Sequence, residues 1–336
     1  MIRSRLIPRA SSLLTAALIL ATAAVPAGLL GQEASTQRLT LENYLDMESV
    51  SGPQISPDGT RIVYTRGWVD KVNDRRQSSL WIMNADGSRN RHLTEGSGAR
   101  WSPDGSRILF VRGVEGSGAQ IFVRWMDAEG AESQITRLEH GPSNVRWSPD
   151  GNWVAFTSRV DDSADFAGVK LPARPEGAKW TGEPKIVERA SYKRDRAGYI
   201  DTGWTHLFVT PAEGGTPRQL TSGDWNHNGV AWSPDGGEIY FTSYRASDWE
   251  RPDHWQESEI YATTVATGEI RQITDRRGPD GSPVASPDGE LIAFISGDEH
   301  RDTYRNQKIY VMNRDGSGRR LISGDYDRQS GGMMWA

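Results

Sequence analysis

The chain has 336 residues, 36% of them apolar, and no cysteine. That is enough for one large domain held by core burial, and it excludes disulfides and thiolate metal sites. Setting aside three arginines of the leader lowers the 39 basic side chains to 36 against 44 acidic ones, a balance that argues against a nucleic-acid partner.

Residues 1–31 read as an export signal: Arg3, Arg5 and Arg9 precede an apolar stretch from Leu13 to Val25, with small residues at Ala24, Ala27 and Gly31 where cleavage would fall. The apolar stretch is short of the roughly 20 residues a bilayer span needs. The expectation is a periplasmic or secreted product with no membrane attachment after cleavage. Residues 32–50 form a lead-in segment, and a repeat region fills 51–336.

Ser-Pro-Asp-Gly opens at Ser56, Ser102, Ser148, Ser233 and Ser286, with starts separated by 46, 46, 85 and 53 residues. Proline presets the second position of a type I turn, aspartate suits the third, and glycine accepts the left-handed geometry that follows. The flanks alternate as strands do, Ala99-Arg100-Trp101 leading in and Ile108-Leu109-Phe110-Val111 leading out. A second hairpin follows in each unit, as in Leu80 to Met83 returning at His92-Leu93-Thr94 across Asp86-Gly87. Two hairpins per period of this length predict an all-β fold, a β-propeller of four-stranded blades. Five units are complete, and Trp335 occupies the slot of Trp101, Trp147 and Trp232 at the opening of a sixth. The expectation is therefore five to six blades in an incomplete ring, truncated at the start of a further blade, with an unpaired edge that invites self-association.

The repeated aspartates Asp58, Asp104, Asp150, Asp235 and Asp288 read as turn formers, because calcium needs six to eight oxygens converging on one point and these sit on separate blades. The six histidines (His92, His140, His206, His227, His254, His300) show no paired metal spacing. The long interval carries an insertion at about 160–203, acidic at Asp161, Asp162 and Asp165 and basic from Lys185 to Arg196. Long excursions from a repeat lie on one face and often serve recognition, although a solvated blade extension fits the same composition. Arg245 to Trp255 forms a second enriched loop, with Trp249, His254 and Trp255, read as packing on its hairpin or as a binding lip.

Taken together, Leu39-Thr40-Leu41-Glu42-Asn43-Tyr44-Leu45, the first repeat from Gly52 to Gly59, and the insertion passage from Pro184 to Asp201 resemble a known family. It is the prolyl oligopeptidase family of exported serine peptidases, in its acylaminoacyl-peptidase and dipeptidyl-peptidase-like branch, and the resemblance is to the amino-terminal propeller. It runs from about residue 39 to the end. It implies a carboxy-terminal α/β-hydrolase domain with a Gly-x-Ser-x-Gly elbow. This sequence has no such motif; Ser330-Gly331-Gly332 is nearest, with Arg328 where the first glycine belongs. No catalytic, cofactor or metal residue is therefore assigned. The implied role is gating of peptide substrates for a catalytic domain outside this chain. No Glu-Glu pair is present, so the aminopeptidase specificity of the dipeptidyl branch is not carried over. The alternative is a TolB-like periplasmic propeller acting as a protein-interaction scaffold.

Overall fold

The computed structural model describes residues 38–127, 129–161, 172–181, 192–195, 198–200, 203–245, 257–298 and 306–335. The leader, most of the insertion and residues 246–256 with Trp249, His254 and Trp255 lie outside the described residues. The chain divides into two units, Met1–Met47 and Glu48–Ala336. In the first, α1 (Leu41–Leu45) begins at an N-cap: Asn43 N donates to Thr40 Oγ1 at 3.2 Å while Asn43 Oδ1 accepts from Thr40 N at 3.1 Å.

Among the described residues the second unit contains five four-stranded antiparallel sheets. Blade one comprises β1 (Ser49–Ile55), β2 (Arg61–Asp70), β3 (Arg75–Asn84) and β4 (Arg91–Glu95). Blade two comprises β5 (Ser97–Trp101), β6 (Arg107–Val114), β7 (Gly118–Trp125) and β8 (Glu132–Gln134). The third blade starts with β9 (Ser143–Trp147) and β10 (Trp153–Val160). After a separate two-stranded ribbon, β11 (Lys193–Arg194) with β12 (Gly198–Tyr199), it resumes with β13 (Trp204–Pro211) and β14 (Arg218–Gln219). Blade four is β15 (His227–Trp232), β16 (Glu238–Ser243), β17 (Glu259–Thr264) and β18 (Ile270–Gln272). Blade five is β19 (Asp280–Ala285), β20 (Leu291–Ser296), β21 (Lys308–Asn313) and β22 (Arg320–Leu321).

Every Ser-Pro-Asp-Gly forms the turn between a blade's first and second strands, and it does so with one bonding pattern. Ser102 Oγ donates to Asp104 Oδ1 at 2.6 Å and accepts from Arg107 N at 2.9 Å, while Ser106 N donates to the same Asp104 oxygen at 3.1 Å. Ser56, Ser148, Ser233 and Ser286 repeat the serine–aspartate bond at 2.5 Å. These bonds hold the Asp58, Asp104 and Asp235 carboxyls down at about 2, the serine hydroxyl contributing most. The turn glycines have positive φ, 71° at Gly105. A Cβ on Gly105 would lie 3.4 Å from Pro57 of the preceding blade, and one on Gly151 3.5 Å from Pro103. Each turn thus seats on the next, so the repeated tetrapeptide stacks blades as well as closing hairpins.

The slot before each motif adds a second tie. Trp101 Nε1 donates to Gln54 O at 3.2 Å, Trp147 Nε1 to Arg100 O at 3.0 Å, and Trp335 Nε1 to Val284 O at 3.0 Å, each reaching the first strand of the preceding blade. Trp232 occupies the same slot, yet its buried Nε1 has no partner among the described residues. First strands meet first strands in these bonds, so the sheets converge at their first strands. Four apolar cores lie between successive blades, each drawing side chains from both neighbours. Among the described residues no such core joins blade five to blade one, and the ring is not closed. Leu321 and Ile322 on the last strand and its extension remain 44% and 52% exposed.

The fourth strand of blade one covers His92-Leu93-Thr94, whereas those of blades two, three and four end at Gln134, Gln219 and Gln272. A threonine hydroxyl takes over the ladder: Thr136, Thr221 and Thr274 Oγ1 each accept a third-strand N–H at 2.9 Å, and the preceding glutamine amide donates to that threonine's carbonyl.

Candidate functional site

Antiparallel order fixes which loops share a rim. In each blade the first-to-second and third-to-fourth turns fall on one side. The second-to-third connections and the links between blades fall on the other. The first side holds the tight Ser-Pro-Asp-Gly turns. On the second side lie the strand ends from which the long connections leave and return: the insertion joins β10 to β13, residues 244–258 join β16 to β17, and residues 297–307 join β20 to β21. The described ends of the two irregular stretches singled out in the sequence therefore fall on one rim, and the described residues of that rim form the candidate functional surface.

Two titratable clusters sit there. His206 and His227, at the starts of β13 and β15, have ring centroids 5.1 Å apart. His227 is fully buried; its Nδ1 lies 2.9 Å from Thr205 O and so carries the hydrogen, leaving Nε2 to accept from Arg245 Nη2 at 2.6 Å. Burial, aided by Arg245, lowers the His227 pKa to about 4, so the ring is neutral. Arg245 stacks over Tyr261 at 4.9 Å. In the second cluster Gly278 N donates to Glu257 Oε2 at 3.0 Å, Thr274 Oγ1 donates to Glu259 Oε2 at 2.5 Å, and the fully buried Asp280 lies 3.5 Å from Arg319 Nη1. Burial first, and then the Asp280 charge, pushes the Glu259 carboxyl up to about 8.

Glu139, His140 and Asp161 form the one group with metal-ligating composition among the described residues, ligand atoms lying within 4.8 Å of one another. His140 Nε2 is 2.8 Å from Asp161 Oδ2, but Arg159 Nη2 already donates to Asp161 Oδ1 at 2.7 Å, so the carboxylate is paired without an ion. The remaining candidates do not converge. The five repeat aspartates stay in their separate turns, and His92 bonds Glu95 at 3.2 Å with its ring edge-on to Trp81. His254 and His300 lie outside the described residues. Ser330 is buried, and no histidine bonds to it among the described residues.

Glu259 and His227 give the fold a defined pH response. A carboxyl whose folded pKa of about 8 stands above its ordinary 4.5 binds its proton more tightly when folded, so stability falls as pH rises from about 4.5 to 8. His227, lowered from 6.5 to about 4, acts in the opposite sense, and its contribution is lost as pH falls from about 6.5 to 4. Glu259→Gln is expected to remove the alkaline loss, roughly 1–2 kcal/mol after allowance for solvent screening, in urea melts at pH 5 and pH 8.

Comparison with known proteins places this arrangement. Residues 176–300 match the family described as the dipeptidyl peptidase IV (DPP IV) N-terminal region. Dipeptidyl-peptidase 5 of Porphyromonas gingivalis is 27% identical over 324 residues, covering 89% of this chain and 45% of the relative. The Tol-Pal system protein TolB of Anaeromyxobacter dehalogenans is 33% identical over 213 residues, 61% of this chain and 44% of the relative. Among solved structures, the acylaminoacyl peptidase of Pyrococcus horikoshii superposes with a TM-score of 0.61 at 18% identity, covering 85% of this chain and 41% of that one, a likeness of fold. The chain spans less than half the length of the curated relatives it matches.

Proposed function

We propose, on the premise that this chain is a β-propeller related to the amino-terminal propellers of prolyl oligopeptidase-family peptidases, that it is the substrate-gating portion of an exported serine peptidase acting on short peptides. The observation that carries this reading is the match of residues 176–300 to the dipeptidyl peptidase IV amino-terminal region, which spans the end of the insertion and all of blade four. Catalysis in this reading belongs to residues outside this chain. The chain's own part is steric and electrostatic: the long connections of one rim restrict which peptides reach the reacting centre. Residues 1–31 supply export, and within the described residues no helix is long and apolar enough to cross a membrane.

The test is size selectivity in the complete gene product. Replacing residues 163–202 by a short turn is expected to raise cleavage of long unstructured peptides several-fold relative to a dipeptidyl chromogenic substrate. An unchanged ratio contradicts gating by this rim. A scaffold role is the second reading, favoured by the 33% identity to TolB over 213 residues. It predicts a stable complex with an envelope protein and no hydrolysis. The likeness to dipeptidyl-peptidase 5 over 89% of the chain, against 61% for TolB, supports the peptidase reading.

A further inference from the structure

Arg100 and Arg146 hold the same place in consecutive repeats, next to last in the first strands β5 and β9. Their neighbours Ala99 and Trp101, and Val145 and Trp147, pack into the cores shared with the preceding blade. By strand alternation the two arginines point the other way, on the strands where the sheets converge. The two strands touch directly, Trp147 Nε1 donating to Arg100 O at 3.0 Å. Both side chains are half-buried, and each spends one N–H on the carbonyl before it: Arg100 Nη1 to Ala99 O at 3.2 Å and Arg146 Nη1 to Val145 O at 2.9 Å.

No carboxylate bonds to either guanidinium among the described residues. Arg112 and Arg319, also half-buried, do have one, Glu132 at 2.7 Å and Asp280 at 3.5 Å. Burial lowers both arginine pKa values from their ordinary range, and the Arg100 charge adds to the effect at Arg146. Two like charges on touching strands, half-buried and with no carboxylate partner among the described residues, cost free energy that an incoming anion recovers. Equivalent slots in the other blades hold Gln54, Ala231 and Val284, so the charge lies on one wall.

We propose that Arg100 and Arg146 form a carboxylate-binding site on the inner strands of blades two and three, taking the free carboxylate of a short peptide. A guanidinium presents paired N–H donors that match a planar carboxylate, and two of them can grip both oxygens. The net negative chain disfavours an extended polyanion. The carboxylate preference stands apart from the peptidase reading, and only the choice of a peptide as its bearer rests on that reading.

The test is titration calorimetry on the 336-residue chain with acetyl-trialanine as the acid and as the amide, acetyl-Ala-Glu-Ala amide, and glutarate. The acid is expected to bind about tenfold or more tightly than the amide, the worth of a charge-assisted hydrogen bond. Arg100→Gln and Arg146→Ala, which install residues found at this slot in other blades, should each remove about tenfold in affinity with unchanged thermal melts. Binding of the internal glutamate peptide assigns the site to acidic side chains as well as chain ends. Glutarate binding as tightly as the peptide acid keeps the carboxylate site and removes the peptide. Equal affinity for acid and amide, no acid binding up to roughly 10 mM, or undiminished binding in both variants overturns the proposal.

Discussion

Replacing Trp147 by alanine is expected to destabilise the chain by about 3–5 kcal/mol, the range for truncating a buried tryptophan. The side chain is 8% exposed and packs in the core between blades two and three. Its Nε1 donates to Arg100 O, and the Arg107 guanidinium lies 5.1 Å above its ring while donating to Gly151 O at 3.0 Å. One substitution therefore removes apolar burial, a hydrogen bond between first strands and the platform of a stacked arginine. Trp147→Phe separates the contributions, keeping most of the burial and losing about 1 kcal/mol with the bond. Urea melts followed by far-ultraviolet circular dichroism provide the check. A loss under about 1 kcal/mol for the alanine variant would mean that the tryptophan slot does not hold the blades together.

Glu238→Ala is expected to cost about 2–3 kcal/mol, between the values for exposed pairs and for fully buried ones. Glu238 Oε1 accepts from Arg271 Nε at 3.0 Å, and Oε2 accepts from Arg271 Nη2 at 3.1 Å and Arg314 Nη2 at 3.0 Å. Arg314 also donates to Asp235 Oδ2 at 2.9 Å, tying the last turn of blade five to the first turn of blade four. Burial acts to raise the Glu238 carboxyl, but the two arginines outweigh it and hold it below the usual carboxylate range. The double variant Glu238→Ala/Arg314→Ala should lose less than the sum of the single losses, because it leaves one fewer unpaired charge. Strict additivity in guanidinium chloride midpoints would contradict a shared network.

Ser-Pro-Asp-Gly and its alternating flanks made the blades legible, because proline, aspartate and glycine each answer a local backbone demand. The tryptophan slot was legible as a repeat, but its partner was not. Trp147 finds a carbonyl 47 residues earlier, set by blade stacking rather than by local pattern. His206 and His227 meet for the same reason: they start strands in different blades, so no spacing rule brings them together. The Glu238 network depends on Arg314, 76 residues away. The ends of three fourth strands were not legible, because a threonine hydroxyl replaces a backbone acceptor there, a side-chain exchange that strand propensity does not encode. The rim follows from the order of strands once the sheets are known, and the described ends of both irregular stretches fall on it.

The central claim, that this propeller serves a serine peptidase, is tested most directly on the native polypeptide. An antibody raised against residues 48–336 should capture from the producing cells a polypeptide more than twice as long as this chain, in line with relatives of which it spans 31–45%. That polypeptide should be labelled by a fluorophosphonate, which reacts with a serine activated by a histidine, and labelling should be blocked by a dipeptidyl or acylated short peptide. A captured polypeptide that resists the label while holding a stable envelope partner would contradict the account and favour the scaffold.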